Sequence, residues 1–330
     1  MRLGLHTFSY HYAAGLWEYA PTVNQPMTAV HFLRKAAELR LDGVFFCDPR
    51  HFDSLDYSPA AALREKAEAL GLYLQVGVNG TNPEALQEMV RAAHVLGSAT
   101  VRASVQRPRA RSEEGRAAIL ATTAGELAQV TPLCERYEIR LAIENTPNLT
   151  TQELLALIEM TGTEWVGVCF DTGSPVVVLE DALASATALA PFVTDVHLKD
   201  YQLIAEPDGV TLSGCALGDG VVDLVSIIDL FSMRAPGVGL NVATAPGRQH
   251  LPVLEEDYLS HLPKATAAAL GRTLRLARDR GLAHPPQFAL ERGAGEDEVL
   301  AEEDDLVVWS VRWAQRTLGR PEAEDLKPGE

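Results

Sequence analysis

The sequence predicts an α/β chain that closes into a (β/α)8 TIM barrel and runs on into a C-terminal helical extension. Three observations carry this reading. Eight strand-like runs alternate with helix-like runs, which argues a parallel sheet with helical crossovers. The runs are apolar on one face only, whereas strands of an open doubly wound sheet are usually apolar on both. The other face carries small and polar groups, which suits a barrel interior whose functional site lies at the C-terminal strand ends.

The strand candidates are residues 2–7, 43–48, 73–79, 100–105, 139–144, 165–171, 193–199 and 238–244. Their period of two assigns Leu3 and Leu5, Leu74, Val76 and Val78, Leu141 and Ile143, and Val196 and Leu198 to the outside. Gly4 and His6, Gln75 and Asn79, Arg102 and Ser104, Glu144, Cys169 and Asp171, and His197 and Lys199 then point inward. Between strands lie amphipathic stretches such as 28–40, where Val30, Leu33, Ala37 and Leu41 recur at three- and four-residue steps.

Residues 1–246 are assigned to the barrel and 247–330 to an extension packed on it. The extension holds one long helix-like stretch from Glu255 to Gly281, a Pro285-Pro286 break, and an acidic run from Glu296 to Asp305. That run reads as the solvated, dipole-favoured start of a last helix, with Arg312 and Arg316 near its end. The final EAEDLKPGE is expected to be disordered. LGDG (217–220) reads as a turn beneath the seventh helix, with a phosphate cradle as its alternative.

Composition narrows the function. A formal charge of -17, with no basic stripe, argues against nucleic acid and anionic membranes as partners and leaves small molecules. No stretch approaches the ~18 apolar residues of a membrane span. The opening MRLGLHTFSY lacks a basic segment followed by an apolar run, so a cytoplasmic protein is expected. Cys47, Cys134, Cys169 and Cys215 have no paired spacing and read as free thiols in a reducing compartment.

Three segments end on metal-competent side chains: LAIEN on Glu144, VCFD on Asp171 and VHLK on His197. They are separated by about one helix plus one strand, which places the three groups on adjacent strand ends at one rim. Two carboxylates and an imidazole suit one divalent ion, Mn²⁺, Mg²⁺, Co²⁺ or Zn²⁺. Lys199 shares the inward face of His197. His6, Asp48, Asn79 and Arg102 point to the same rim as candidate hydroxyl binders, His51 is a loop proton-donor candidate, and Arg248 is a candidate for a substrate carboxylate or phosphate.

In these segments, and in MRLGLHTFSYH, CDPRH (47–51) and LGDGVVDL (217–224), the chain resembles the xylose isomerase-like TIM-barrel superfamily, the sugar phosphate isomerases and epimerases. The resemblance implies one divalent metal held by Glu, Asp, His and a last Glu, the first three falling on Glu144, Asp171 and His197. It also implies a sugar substrate and a homo-oligomer. The last Glu has no counterpart, because GLNVATAP (239–246) offers Ala243, flanked by Asn241 and Thr244. Thr146 and Ser174 also stand where relatives often carry His or Asn.

A missing carboxylate removes half of a two-base epimerase. The expected activity is therefore an isomerase or epimerase-like enzyme working on a sugar or keto-sugar through an enolate or enediolate, with dehydration or lyase chemistry open from the same intermediate. Glu144 is its candidate base and Lys199 its candidate acid. The alternative is a degenerate barrel that binds a carbohydrate or a partner without turnover. An abasic-site endonuclease on a related barrel would need more ligands and a basic surface. The residue expected to fill the missing carboxylate's place is Asn241, Thr244 or Glu291, or else a water.

Overall fold

The computed structural model describes residues 1–16, 23–262, 265–283 and 285–322. The strands, in chain order, are β1 (Arg2–His6), β2 (Gly43–Phe46), β3 (Tyr73–Asn79), β4 (Thr100–Ser104), β5 (Arg140–Glu144), β6 (Val166–Asp171), β7 (Val193–Leu198), β8 (Tyr201–Glu206), β9 (Gly209–Gly214), β10 (Gly239–Val242) and β11 (Arg248–Leu251). β1 to β7 and β10 close a parallel barrel, β10 sealing it between β7 and β1.

The helices are α1 (His11–Ala14), α2 (Ala29–Glu38), α3 (Tyr57–Ala69), α4 (Pro83–Leu96), α5 (Glu113–Ala128), α6 (Thr131–Tyr137), α7 (Thr151–Thr161), α8 (Ser174–Val177), α9 (Ala182–Leu189), α10 (Leu224–Arg234), α11 (Glu256–Ser260), α12 (Ala267–Arg280) and α13 (Glu296–Thr317). Their ends follow local chemistry. Thr150 and Glu153 form a reciprocal capping box at the start of α7, and Gly162 closes it in the left-handed region at φ 60°.

The barrel has two chemically distinct sides. Outward Leu3, Leu5, Val44, Val76, Leu141, Val168, Phe170 and Leu240 are fully buried against the helices, with Phe170 edge-on to Phe231 of α10. Inside, below the site, a polar layer plugs the barrel: the Asn241 amide donates to Gln75 Oε1 (3.0 Å) and Asp195 Oδ1 (2.9 Å), and the Tyr73 hydroxyl donates to Asn241 Oδ1 (3.3 Å). Gly4 is required here, since a Cβ would lie 2.3 Å from Asn241 Oδ1 and 2.4 Å from the Tyr73 hydroxyl.

Two expectations change. The stretch from Glu255 to Gly281 is not one helix: α11 stops at Ser260 and α12 begins only after Thr266, which caps it by accepting from the Ala269 amide. Residues 201–214 form a hairpin, β8 and β9, which β11 extends into a three-stranded antiparallel sheet. The period-two pattern YQLIAEPDGVTLSG with Pro207-Asp208-Gly209 at its centre carries that hairpin. The sheet is built from the chain segments that follow β7 and β10, on the same rim as the site. Beyond Glu322, the tail expected to be disordered lies outside the described residues.

Candidate functional site

The register explains which inward side chains meet. Glu144 is the cross-strand partner of Cys169, while Asp171 is that of His197. Strand tilt thus places Cys169 beside Glu144 and carries His197 in from one strand further round. The Glu144, Cys169 and His197 donor atoms all lie within 4.8 Å of one another. They border a cavity of about 220 Å³ at the C-terminal strand ends, which Lys199, Asp171, Arg102, His6, His11 and Ala243 also line.

Glu144 is held from two sides. Its Oε1 lies 3.0 Å from His197 Nδ1 and its Oε2 3.3 Å from Arg102 Nε. Burial pushes its carboxyl up, but Arg102, the hydrogen bond and charge of His197, and Lys199 outweigh this and hold it at about 2. Arg102 is itself buried; its guanidinium donates to Val78 O (3.1 Å) and Asn79 Oδ1 (2.8 Å) and lies over the Phe45 ring.

His197 lies between acidic groups, with Nε2 3.7 Å from Asp195 Oδ2. Burial works against the charged ring, yet Cys169, Asp195 and Glu144 raise its pKa well above the usual imidazole value. The Cys169 thiol, 3.3 Å from Nε2, is pushed up to about 12 by burial and is neutral at pH 7. The carboxylates therefore keep the imidazolium. His6 packs edge-on to His197 and stacks on Phe45; burial, followed by the charges of His197 and Arg102, keeps it neutral.

Asp171 faces the cavity differently. Its Oδ1 accepts from the amides of Gly173 and Ser174 (both 2.9 Å), and its Oδ2 pairs with Lys199 Nζ at 3.2 Å. Burial lowers the Lys199 pKa, but Asp171 reverses the shift and raises it, and the ammonium also lies 4.9 Å from the Phe8 ring centroid.

The expected site residues divide accordingly. Glu144, Asp171, His197, Lys199, His6, Asp48, Asn79 and Arg102 line one cavity, as do Thr146, Ser174 and His51. Asp48 is engaged by Arg50 through both carboxylate oxygens, at 2.9 and 2.8 Å. Arg248 does not belong to this group. Placed on β11, it pairs with Glu291 (3.4 Å), donates to Pro286 O (2.5 Å) and lies over Phe288. Asn241 is committed to the polar layer below, and neither it nor Thr244 nor Glu291 is among the cavity-lining residues. The LGDG turn cradles no phosphate: the amides of Gly218, Gly220 and Val222 donate to the Asp200 carboxylate (3.0–3.1 Å).

Cys169, His11 and Glu303 were not singled out by sequence. Cys169 shares the inward parity of Asp171, a usable signal. His11 stands on α1, and Glu303 comes from α13 in the acidic run that reads as solvated; here it is fully buried. The cluster of Glu144, Cys169 and His197 offers mixed O, S and N donors of the kind that suits Zn²⁺ or Co²⁺. The orphaned, buried Asp195 Oδ2 beside His197 Nε2 is placed to orient an imidazole ligand from behind. These donors fit one divalent ion, with Asp171 at the side rather than in the cluster.

The xylose isomerase-like TIM barrel family matches residues 33–254. The chain belongs to it. Among curated members, it is 27% identical over 226 residues to 3-oxo-isoapionate decarboxylase of Pectobacterium atrosepticum, covering 68% of this chain and 78% of that protein. It is 24% identical over 218 residues to the uncharacterised YihM of Escherichia coli, covering 66% of this chain and 64% of YihM. Xylose isomerase-like barrels of known structure share its fold. A D-allulose 3-epimerase from Methylomonas sp. superposes with a TM-score of 0.57 at 15% identity, over 96% of this chain and 98% of the other. The zinc-bound IolI protein superposes with a TM-score of 0.57 at 12% identity, over 86% and 100%. Among the described residues, no helix is long and apolar enough to cross a membrane.

Proposed function

We propose that this sugar-processing enzyme is a lyase that decarboxylates a 3-oxo sugar acid through an enediolate. One observation carries the reading: Arg102, Lys199 and His197 bring three cationic groups to one small cavity, around a carboxylate, Glu144, whose basicity they suppress. A carboxylate held at about 2 is a poor proton acceptor at neutral pH, and Ala243 supplies no second base. Decarboxylation needs neither. The bond to the carboxylate carbon breaks, CO₂ leaves, the electron pair passes onto the neighbouring ketone oxygen, and the enediolate then takes up one proton on carbon.

In this reading, Arg102 and Lys199 stabilise charge developing on the ketone oxygen. Glu144 and Asn79 orient hydroxyls, and the stacked His6–Phe45 pair forms an apolar wall. A divalent ion held by Glu144 and His197, with Cys169 or Asp171, would add polarisation of the same oxygen. The relative from Pectobacterium, whose name places it on a 3-oxo sugar acid, supports the choice of substrate class. Isomerisation of a keto-sugar through the same enediolate is the second reading, favoured by the family itself.

The experiment is a panel of 3-oxo sugar acids and ketoses incubated with the enzyme in D₂O. Release of CO₂ with one deuterium placed on the product carbon supports the lyase. Interconversion of ketoses without CO₂ release selects isomerisation, and turnover of neither class leaves a binding barrel.

A further inference from the structure

Protonation of the enediolate needs an acid, and the groups around Glu144 do not provide an evident one. Lys199 is locked to Asp171, and its pKa is raised. His51 has no carboxylate within ion-pairing distance, and burial pushes it down to about 4, so it carries no proton to give at neutral pH. His6 is likewise neutral. Among the described residues lining the cavity, the histidines paired to a carboxylate are His197, deep in the barrel, and His11.

We propose that His11 is the residue that delivers a proton to substrate carbon, and that Glu303 of α13 positions it and stores the proton with it. This rests on the lyase or isomerase reading, since both pass through an enediolate. His11 Nδ1 lies 3.2 Å from the Phe8 carbonyl and 3.3 Å from Glu303 Oε1. A carbonyl only accepts, so Nδ1 carries the hydrogen, which makes Nε2 the nitrogen that exchanges protons with a ligand. The ring stacks on Phe8, whose other contact is Lys199, so His11 joins the cavity wall next to the residues already described.

Glu303 is more than a neighbour. Although fully buried, it also accepts from the amides of Tyr12 (2.8 Å) and Ala13 (2.9 Å), so three donors fix its plane against His11. Burial pushes its carboxyl up to about 8 despite these amides, with Asp304 adding to the rise, while burial pushes His11 down to about 4. The pair therefore holds one dissociable proton through the neutral range. The charged and titratable groups around it are Tyr12 on α1, Lys199 across Phe8, and Asp304 on α13, the last itself bound by Lys35 and Tyr10. The C-terminal helix, dispensable to a minimal barrel, thereby contributes to the chemistry of the rim.

The test has two arms, both on the full chain. In the first, ¹⁵N-histidine-labelled protein without substrate is titrated by NMR. His11 should show a protonated Nδ1, and Glu303→Gln should shift its titration while the other histidines hold. A His11 signal that titrates like a free imidazole and ignores Glu303→Gln overturns the dyad, whatever the enzyme's reaction. In the second, 3-oxo-isoapionate is the probe. His11→Gln should lower kcat about 10²- to 10⁴-fold with little change in KM, and Glu303→Gln should displace the alkaline limb of the kcat–pH profile. Full kcat and an unmoved limb in both variants overturn the assignment. Loss of melting temperature alone in Glu303→Gln reduces it to a cap on α1, which also overturns the assignment. If the wild type releases no CO₂ while the NMR arm succeeds, the lyase reading fails and the dyad stands.

Discussion

Arg102 Nε on β4 lies 3.3 Å from Glu144 Oε2 on the adjacent strand β5, and both side chains are almost entirely buried. The guanidinium also spans to Val78 and Asn79 on β3, so one arginine ties three neighbouring strand ends together. A planar fork is needed for this, and a lysine cannot reproduce it.

Arg102→Lys should therefore behave almost as badly as Arg102→Met. Both are expected to lower kcat about 10²- to 10³-fold, the range for losing one preorganised charge-stabilising donor. In both, the Glu144 carboxyl rises from about 2, because the first of the groups that lower it is removed. Steady-state kinetics across pH checks this: an acidic limb should move into the measurable range. Lys activity equal to wild type would rule out the bridging role.

Metal analysis separates two ligand sets. With Glu144, Cys169 and His197 as the cluster, Cys169→Ser should weaken Zn²⁺ binding by at least about tenfold, as should His197→Ala. Asp171→Asn should instead cost stability, because its oxygens hold the Gly173 and Ser174 amides and Lys199. Elemental analysis and zinc titration of purified variants read the difference. If Asp171→Asn strips the metal and Cys169→Ser does not, the sequence-based set of Glu144, Asp171 and His197 is the right one.

Glu303 makes stability depend on pH in an unusual direction. Its folded-state pKa, about 8, lies above the ordinary carboxyl value of 4.5. The folded state thus binds this proton more tightly than the unfolded chain. The stabilisation is complete below about pH 4.5 and is lost as the pH rises to about 8. Urea midpoints should fall across that window in the wild type and stay flatter in Glu303→Gln. Parallel curves for the two proteins would remove Glu303 as the cause.

Asp200 accepts four amides, from Tyr201, Gly218, Gly220 and Val222. Asp200→Ala leaves buried donors unpaired and should cost about 3 kcal/mol or more, at 1–3 kcal/mol for each unsatisfied group. Gly220→Ala attacks the same cradle, since its Cβ would lie 2.0 Å from Asp200 Oδ1. Chemical denaturation measures both, and near-wild-type midpoints would show that the turn relaxes freely.

Legibility in the sequence followed the range of the interaction. The barrel strands were readable because alternation along five or six residues is a local pattern, and the runs ending on Glu144, Asp171 and His197 announced their inward parity. The β8–β9 hairpin was equally local, yet it was hidden by attention to the parallel pattern. Glu303 illustrates the opposite limit. Within Glu296–Asp305 nothing distinguishes it from its solvated neighbours, since its burial depends on where α13 lands against α1.

By itself the sequence determined the scaffold, the rim and the absence of a fourth carboxylate at residue 243, because strand parity and composition are properties of the chain alone. Tertiary structure decided which donors meet. Register and tilt set Cys169 beside Glu144 and turned Asp171 toward backbone amides, packing moved Arg248 out of the site, and a helix from the far end of the chain brought Glu303 to His11. Those outcomes depend on distances between strands and helices remote in sequence, which no local pattern encodes.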